Sequence, residues 1–165
     1  MGGFSGTANS ILVVNNDAVQ ASITGTGANT SETILKTVTL PALGANSTID
    51  IDTLIGWSSS TNTKTFRIRL GGIGGAIVMS MTATAPTALQ QQQKTIVRNT
   101  GSASSQKFFN NFTVGGYGVS GAAVNTSAID TSVPVTLVFT GQLDAAAAAA
   151  LERMSYEAST VRVIL

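Results

Sequence analysis

A chain of 165 residues, 43% hydrophobic and only 10% charged, is long enough to close one core without staples and too apolar to stay disordered. Its net charge is +1, from nine basic and eight acidic side chains spread along the sequence, so no basic stripe exists to neutralise a row of phosphates and nucleic-acid binding is not expected. It has no Cys and no His, which removes disulfides, thiolate chemistry, the usual neutral-pH general base and the commonest transition-metal ligand.

The wetted surface must then come largely from Ser, Thr, Asn and Gln, which cost less to desolvate than Lys or Glu and so suit contact with other proteins. The opening Met1-Gly2-Gly3-Phe4-Ser5-Gly6 has neither the positive stretch nor the apolar core of a signal peptide. No run of about 18 apolar residues occurs, so membrane insertion is not expected. The chain is expected to be made in a cytoplasm.

Residues 1–9 are small and glycine-rich and read as a flexible N-terminal arm; residues 10–165 read as one domain. Ile11-Leu12-Val13-Val14 is a short, largely β-branched run, and Val19 to Thr24 alternates weakly. Thr33 to Leu40 is expected to carry Ile34, Val38 and Leu40 on one face, with Lys36 the odd member, and Pro41 ends it because proline cannot donate to a ladder. Ser47 to Ser58 sets Ile49 and Ile51 against Asp50 and Asp52. Lys64 to Leu70 is the cleanest alternation: Phe66, Ile68 and Leu70 on one side, Thr65, Arg67 and Arg69 on the other. Gly71-Gly72-Ile73-Gly74-Gly75 makes a turn, and Ala76 to Thr84 forms a strand closed by Pro86. Further strands are expected around Thr95 to Arg98, Phe108 to Val114, and Val133 to Leu143, where Val135, Leu137 and Phe139 are in phase. Thr160 to Leu165 ends the series, with Val161, Val163 and Leu165 alternating with Arg162 and Ile164.

Roughly eight to ten short strands divided by Gly, Asn, Ser and Pro predict an all-β antiparallel sandwich or barrel. One segment dissents. Ala145 to Ala150 followed by Leu151-Glu152-Arg153-Met154 is rich in helix formers, but it is capped only by Asp144 and is short for independent stability, so at most a short helical turn near 144–152 is expected.

Candidate sites are few. Gly116-Tyr117-Gly118-Val119-Ser120-Gly121 matches a dinucleotide fingerprint in letters, yet a loop-like Ala122-Ala123-Val124-Asn125 follows where a helix N-terminus is needed, so no cofactor is assigned. Asp50 and Asp52 share a strand face that a cation would accept, but no closing acidic loop accompanies them, and solvated acids are the expectation. Glu152 and Glu157 are the other local acid pair; with one Trp, two Tyr and six Phe, aromatic platforms for a sugar-cleaving cleft are scarce. Arg67 and Arg69 project together and are able to grip a carboxylate, against the plainer expectation of solvated charges. Trp57 is expected in the core, or otherwise as an interface anchor. The Asn-x-Ser/Thr triplets at Asn29, Asn46, Asn111 and Asn125 carry no weight without a secretory signal. Gln90 to Gln93 is expected to face solvent or to ladder at an interface. No catalytic, cofactor-binding or metal-ligating residue is assigned.

Leu40-Pro41-Ala42-Leu43-Gly44-Ala45-Asn46, Ile49-Asp50-Ile51, Trp57-Ser58 and Asn62-Thr63-Lys64-Thr65-Phe66-Arg67-Ile68-Arg69-Leu70-Gly71-Gly72 together resemble a domain that recurs in tailed-phage virion proteins. Asp130-Thr131-Ser132 and Thr136-Leu137-Val138-Phe139-Thr140-Gly141-Gln142-Leu143 extend the resemblance, which spans roughly residues 18–165. It implies a jelly-roll-like β-sandwich, usually trimeric, of the kind found in tail fibres, tailspike tips and head decoration proteins, and it hands over no catalytic residues. The Ala145–Ala150 tract departs from the more polar linker such a domain carries there. The implied role is a non-enzymatic virion structural protein, a homotrimeric capsid decoration or cement protein touching major capsid or tail proteins. The alternative is a tail-fibre, adaptor or receptor-binding module recognising host surface glycan through Trp57, Tyr117 and the Asn110-Asn111 pair.

Overall fold

Successive side chains of a strand point to opposite faces, so a segment with one apolar side is stable only when that side is covered. The computed structural model describes residues 10–26, 30–84, 89–110 and 125–165; the arm read at residues 1–9 lies outside them. The described residues form β1 (Ile11–Asp17), β2 (Ala21–Thr24), β3 (Thr33–Leu40), β4 (Thr48–Trp57), β5 (Lys64–Leu70), β6 (Ala76–Ala83), β7 (Gln90–Asn99), β8 (Gln106–Asn110), β9 (Asn125–Ser127), β10 (Val135–Leu143), α1 (Ala145–Ala149) and β11 (Arg153–Ile164). Eleven strands thus stand among the described residues where roughly eight to ten were expected; β2 falls within the weakly alternating Val19 to Thr24, while β9, three residues long, is too short for alternation to reveal.

All pairings are antiparallel. One sheet runs β1-β11-β4-β7-β8-β9, with β2 also on β11; the other runs β3-β10-β5-β6. Members of the second sheet (β3, β5, β6, β10) interleave along the chain with members of the first (β4, β7, β11), the wrapping of a jelly roll. The fold is an all-β antiparallel sandwich, as its alternation predicts.

The core follows from phase. Ile49, Ile51 and Ile55 of β4 and Phe66, Ile68 and Leu70 of β5 are buried, as are Val161 and Val163 of β11. Phe139 of β10 meets Phe66 at 6.4 Å between ring centroids and reaches across to Tyr156 of β11 at 5.4 Å, so tilted rings join the two sheets. Three departures from simple alternation have local causes. A register shift between Phe139 and Thr140 in the β10–β3 ladder turns Ile34 outward, 45% exposed, and packs Leu35 against the core in its place. Gln90 to Gln93 faces solvent only in part: it opens β7, where Gln90 and Gln92 are exposed while phase with Val97 puts Gln93 inside. The helix formers beyond Ala150 end no helix of their own, since Arg153 and Met154 already belong to β11.

α1 survives at five residues because both ends are satisfied. The Asp144 side chain accepts the Ala147 N–H at 2.7 Å. At the other end Leu151 N–H bonds Ala148 O and Glu152 N–H bonds Ala147 O, the Schellman pattern, which needs a left-handed residue at Leu151 (φ 55°). Replacing Leu151, 66% exposed, by Gly is expected to raise stability by roughly 0.5–1 kcal/mol, because glycine adopts that conformation without steric cost. The urea unfolding midpoint checks this; an unchanged or lower midpoint contradicts it.

Candidate interaction site

The residues that point away from the core carry nearly all the charge, and the ladders decide which of them meet. Register sets Arg162 of β11 opposite Asp50 of β4, and Lys94 of β7 opposite Asp52. The four close a square on the outer face of the larger sheet: Arg162 Nη1 lies 3.0 Å from Asp52 and 3.6 Å from Asp50, and Lys94 Nζ lies 2.8 Å from Asp50 and 3.7 Å from Asp52. The hydrogen bond from Lys94 to Asp50 holds the ammonium above its ordinary pKa. Asp50 and Asp52 are therefore not the solvated acids expected, because two flanking strands each present a cation at their level. Apolar residues flank one row of the square, which reads Val13, Arg162, Asp50, Ile96, Phe109 from β1 to β8.

On the outer face of the smaller sheet, Arg67 and Arg69 do project together from β5, but they turn to their own chain. Arg69 grips Glu32 through Nε and Nη2, both at 2.8 Å, the bidentate geometry that suits a guanidinium. Arg67 donates to Gln142 at 2.7 Å and lies 3.4 Å from Glu32, while the Thr140 hydroxyl donates to the same carboxylate. The bond from Arg69, opposed by burial and helped by Thr140, holds Glu32 below its ordinary pKa. Neither arginine is a freely solvated charge, because β10 between them and β3 is crossed easily by a side chain of that length.

A third cluster is inside. Lys64 starts β5 in phase with Phe66 and Ile68 and has no exposure at all. Its three ammonium hydrogens find Glu152 at 2.6 Å, Ser60 Oγ at 2.7 Å and the Asn62 carbonyl at 3.0 Å. Asn62 Nδ2 donates to the other Glu152 oxygen at 2.6 Å. Burial pushes the Glu152 carboxyl up, and the bonds from Lys64, Ser60 and Asn62 outweigh it, leaving the group below its ordinary value.

The remaining sequence candidates do not converge. Trp57 ends β4 pointing into the core at 6% exposure, its indole N–H without a hydrogen-bond partner, so it offers no stacking surface. Asn110 ends β8, half-buried beside Asn125 and Phe108 in a shallow depression. Tyr117, Asn111 and the Gly116–Gly121 run lie outside the described residues. Glu157 bonds Gln20 and Ser155, whereas Glu152 is held by Lys64, so the two acids do not work on one cleft. Glu32 and Lys64 were not singled out by sequence. For Lys64 a signal existed: a lysine in phase with a core face needs a buried acid. For Glu32, which precedes its strand, none did.

A depression of about 450 Å³ on the outer face of the larger sheet lies between the end of β1 and the middle of β4 and is lined by Asn16, Asp52, Leu54, Gln92 and Thr160 among others.

No protein-family model and no curated protein sequence matches the chain. Among solved structures it is similar to the VP2 subviral particle of infectious bursal disease virus (12% identity, TM-score 0.44, 96% of this chain and 32% of that one). It is also similar to the CBM2 module of the Lactobacillus casei BL23 phage J-1 evolved Dit (14%, 0.42, 98% and 93%) and to lectin I from Ulex europaeus in complex with the methyl glycoside of α-L-fucose (9%, 0.46, 96% and 92%). The chain spans about a third of the length of the bursal disease virus proteins it overlays. Likenesses this weak carry no inference about what it does.

Two outcomes follow from the clusters. Glu152→Leu is expected to cost about 3 kcal/mol by stranding a buried ammonium, and Lys64→Met in that background to recover a large part of it; chemical denaturation of both variants measures it, and additive losses refute it. Because Glu32 has a lower pKa folded than unfolded, its contribution to stability is present above its unfolded value and is lost as pH falls through the folded one. The stability gap between the wild type and Glu32→Gln should therefore shrink from about pH 7 to about pH 3; a gap that stays constant would exclude this role.

Proposed function

We propose that the chain is a non-enzymatic structural subunit of a tailed-phage virion, assembling with copies of itself, as a homotrimer, and with neighbouring capsid or tail proteins. The observation that carries the reading is where the charges go. Of nine basic side chains, six (Lys36, Lys64, Arg67, Arg69, Lys94 and Arg162) are spent in ion pairs within the chain. Arg98 bonds the Thr48 hydroxyl. Arg98, Lys107 and Arg153 stay exposed, but the rest of the described outer surface is largely hydroxyl, amide and apolar, which a protein neighbour covers at small desolvation cost. The sandwich itself and the resemblance through Leu40–Asn46, Trp57-Ser58 and Asn62–Gly72 support the same reading.

The polar depression between β1 and β4 favours a second reading, a tail-borne module that recognises host glycan. Amides, a carboxylate and a hydroxyl around Leu54 suit a polyol with one apolar face.

Copy number separates the two. Quantitative mass spectrometry of purified particles is expected to give hundreds of copies per virion for the capsid role; a small multiple of three points to the tail, and absence from particles overturns both.

A further inference from the structure

Arg98, Lys107 and Arg153 enter no ion pair among the described residues, and two of them are neighbours. The β7–β8 ladder sets Arg98 directly opposite Lys107, both exposed on the outer face of the larger sheet. Like charges in that relation weaken a ladder. The pair also breaks the chain's own pattern, since Lys94, Arg162, Arg67 and Arg69 each meet an acid. No acidic side chain is left to answer it. All eight Asp and Glu lie among the described residues, and each already faces a donor or a cation of its own chain.

Two features adjoin the pair. Arg98 Nε donates to the Thr48 hydroxyl at 3.2 Å, and beside it opens a depression of about 530 Å³ lined by Asn46, Thr48, Arg98 and Ile164 among others. Two residues along the same face of the same two strands, Ile96 stands opposite Phe109, and Phe109 is 40% exposed. Cations and an apolar pair thus lie about 7 Å apart along the strands, the spacing of alternate residues in any extended chain.

We propose that this surface docks an extended segment of a different protein of the same assembly, with a carboxylate between Arg98 and Lys107 and, two residues on, an apolar side chain over Ile96 and Phe109. It rests on the assembly reading above and names the surface that meets the neighbouring protein. Charge selects the occupant. A second copy of this chain brings no acidic side chain to spare. A polyanion gains little past its first charge, because the next row holds Asp50, Ile96 and Phe109 rather than further cations. An acid followed by an apolar residue matches both halves of the surface.

Carbodiimide coupling on purified particles, which joins an amine to a carboxylate in contact, tests it. Lys36 and Asp17 are paired within the chain and couple whether or not anything docks, which makes them the internal control. Peptide mass spectrometry should find Lys107 joined to an Asp or Glu of another protein. Lys107 left unjoined where the control is joined overturns the docking surface, and Lys107 joined to an acid of this chain overturns the choice of occupant. The variant Lys107→Glu separates docking from folding, because it sets opposite charges in register with Arg98. Its melting temperature should not fall, while its copies per particle drop at least about tenfold; incorporation equal to the wild type contradicts the proposal. Purified wild type that binds labelled oligogalacturonate or single-stranded DNA at micromolar concentration, where K107E does not, would give the site to a polyanion instead. Absence of the chain from particles overturns the assembly reading and this surface with it, whereas a particle-bound chain with Lys107 unjoined overturns the surface alone.

Discussion

Neighbouring residues of a strand face opposite ways, and in a chain with so few charges that constraint settles both the inside and the outside. β4 shows it best: Ile49, Ile51 and Ile55 lie in the core while Asp50 and Asp52, between them, are forced outward. The aromatic contact from Phe139 to Tyr156 depends on the same phasing, since β10 and β11 each turn that residue inward. Phase also puts Lys64 where no lysine would otherwise sit, and the neighbourhood is organised around answering it. Asp144 caps α1 and accepts the Thr63 N–H at 2.8 Å, while the turn after α1 delivers Glu152 to the ammonium. The one helical segment is thereby the fitting that brings an acid to a buried base. Gly25 completes it: its N–H bonds the Glu152 carbonyl at 2.8 Å, and a Cβ there would fall 2.3 Å from the Ala148 oxygen.

The outside obeys a second rule, that charges placed on a strand face are answered from the next strand. The Asp50, Asp52, Lys94, Arg162 square and the Glu32, Arg67, Arg69 fork do this on opposite faces. Exposed pairs of this kind contribute little stability each. Their larger effect is on what the surface offers, because a neutralised face is cheap to cover with protein.

Much of the sandwich was legible in the sequence, because β5 and β4 alternate without interruption and each reports its own inner face. What was not legible lies where a ladder slips or a partner is remote. Nothing local marks the shift that exchanges Ile34 for Leu35, since it is a property of the β3–β10 pair. Gln93 reads as surface by composition and is buried by phase with Val97. Arg153 and Met154 prefer helix in isolation, yet β11 gains pairing with both β4 and β2 by starting there. The ion pairs were missed for the same reason: each joins residues far apart in sequence, and only register brings them level.

Native-state hydrogen exchange tests the claim that strand phase sets the core most directly. Amides of β4 and β11, strands paired on two sides, should exchange slowest, and those of α1 and the short β9 markedly faster. Slowest exchange in α1 or β9 rather than in β4 and β11 would contradict the account.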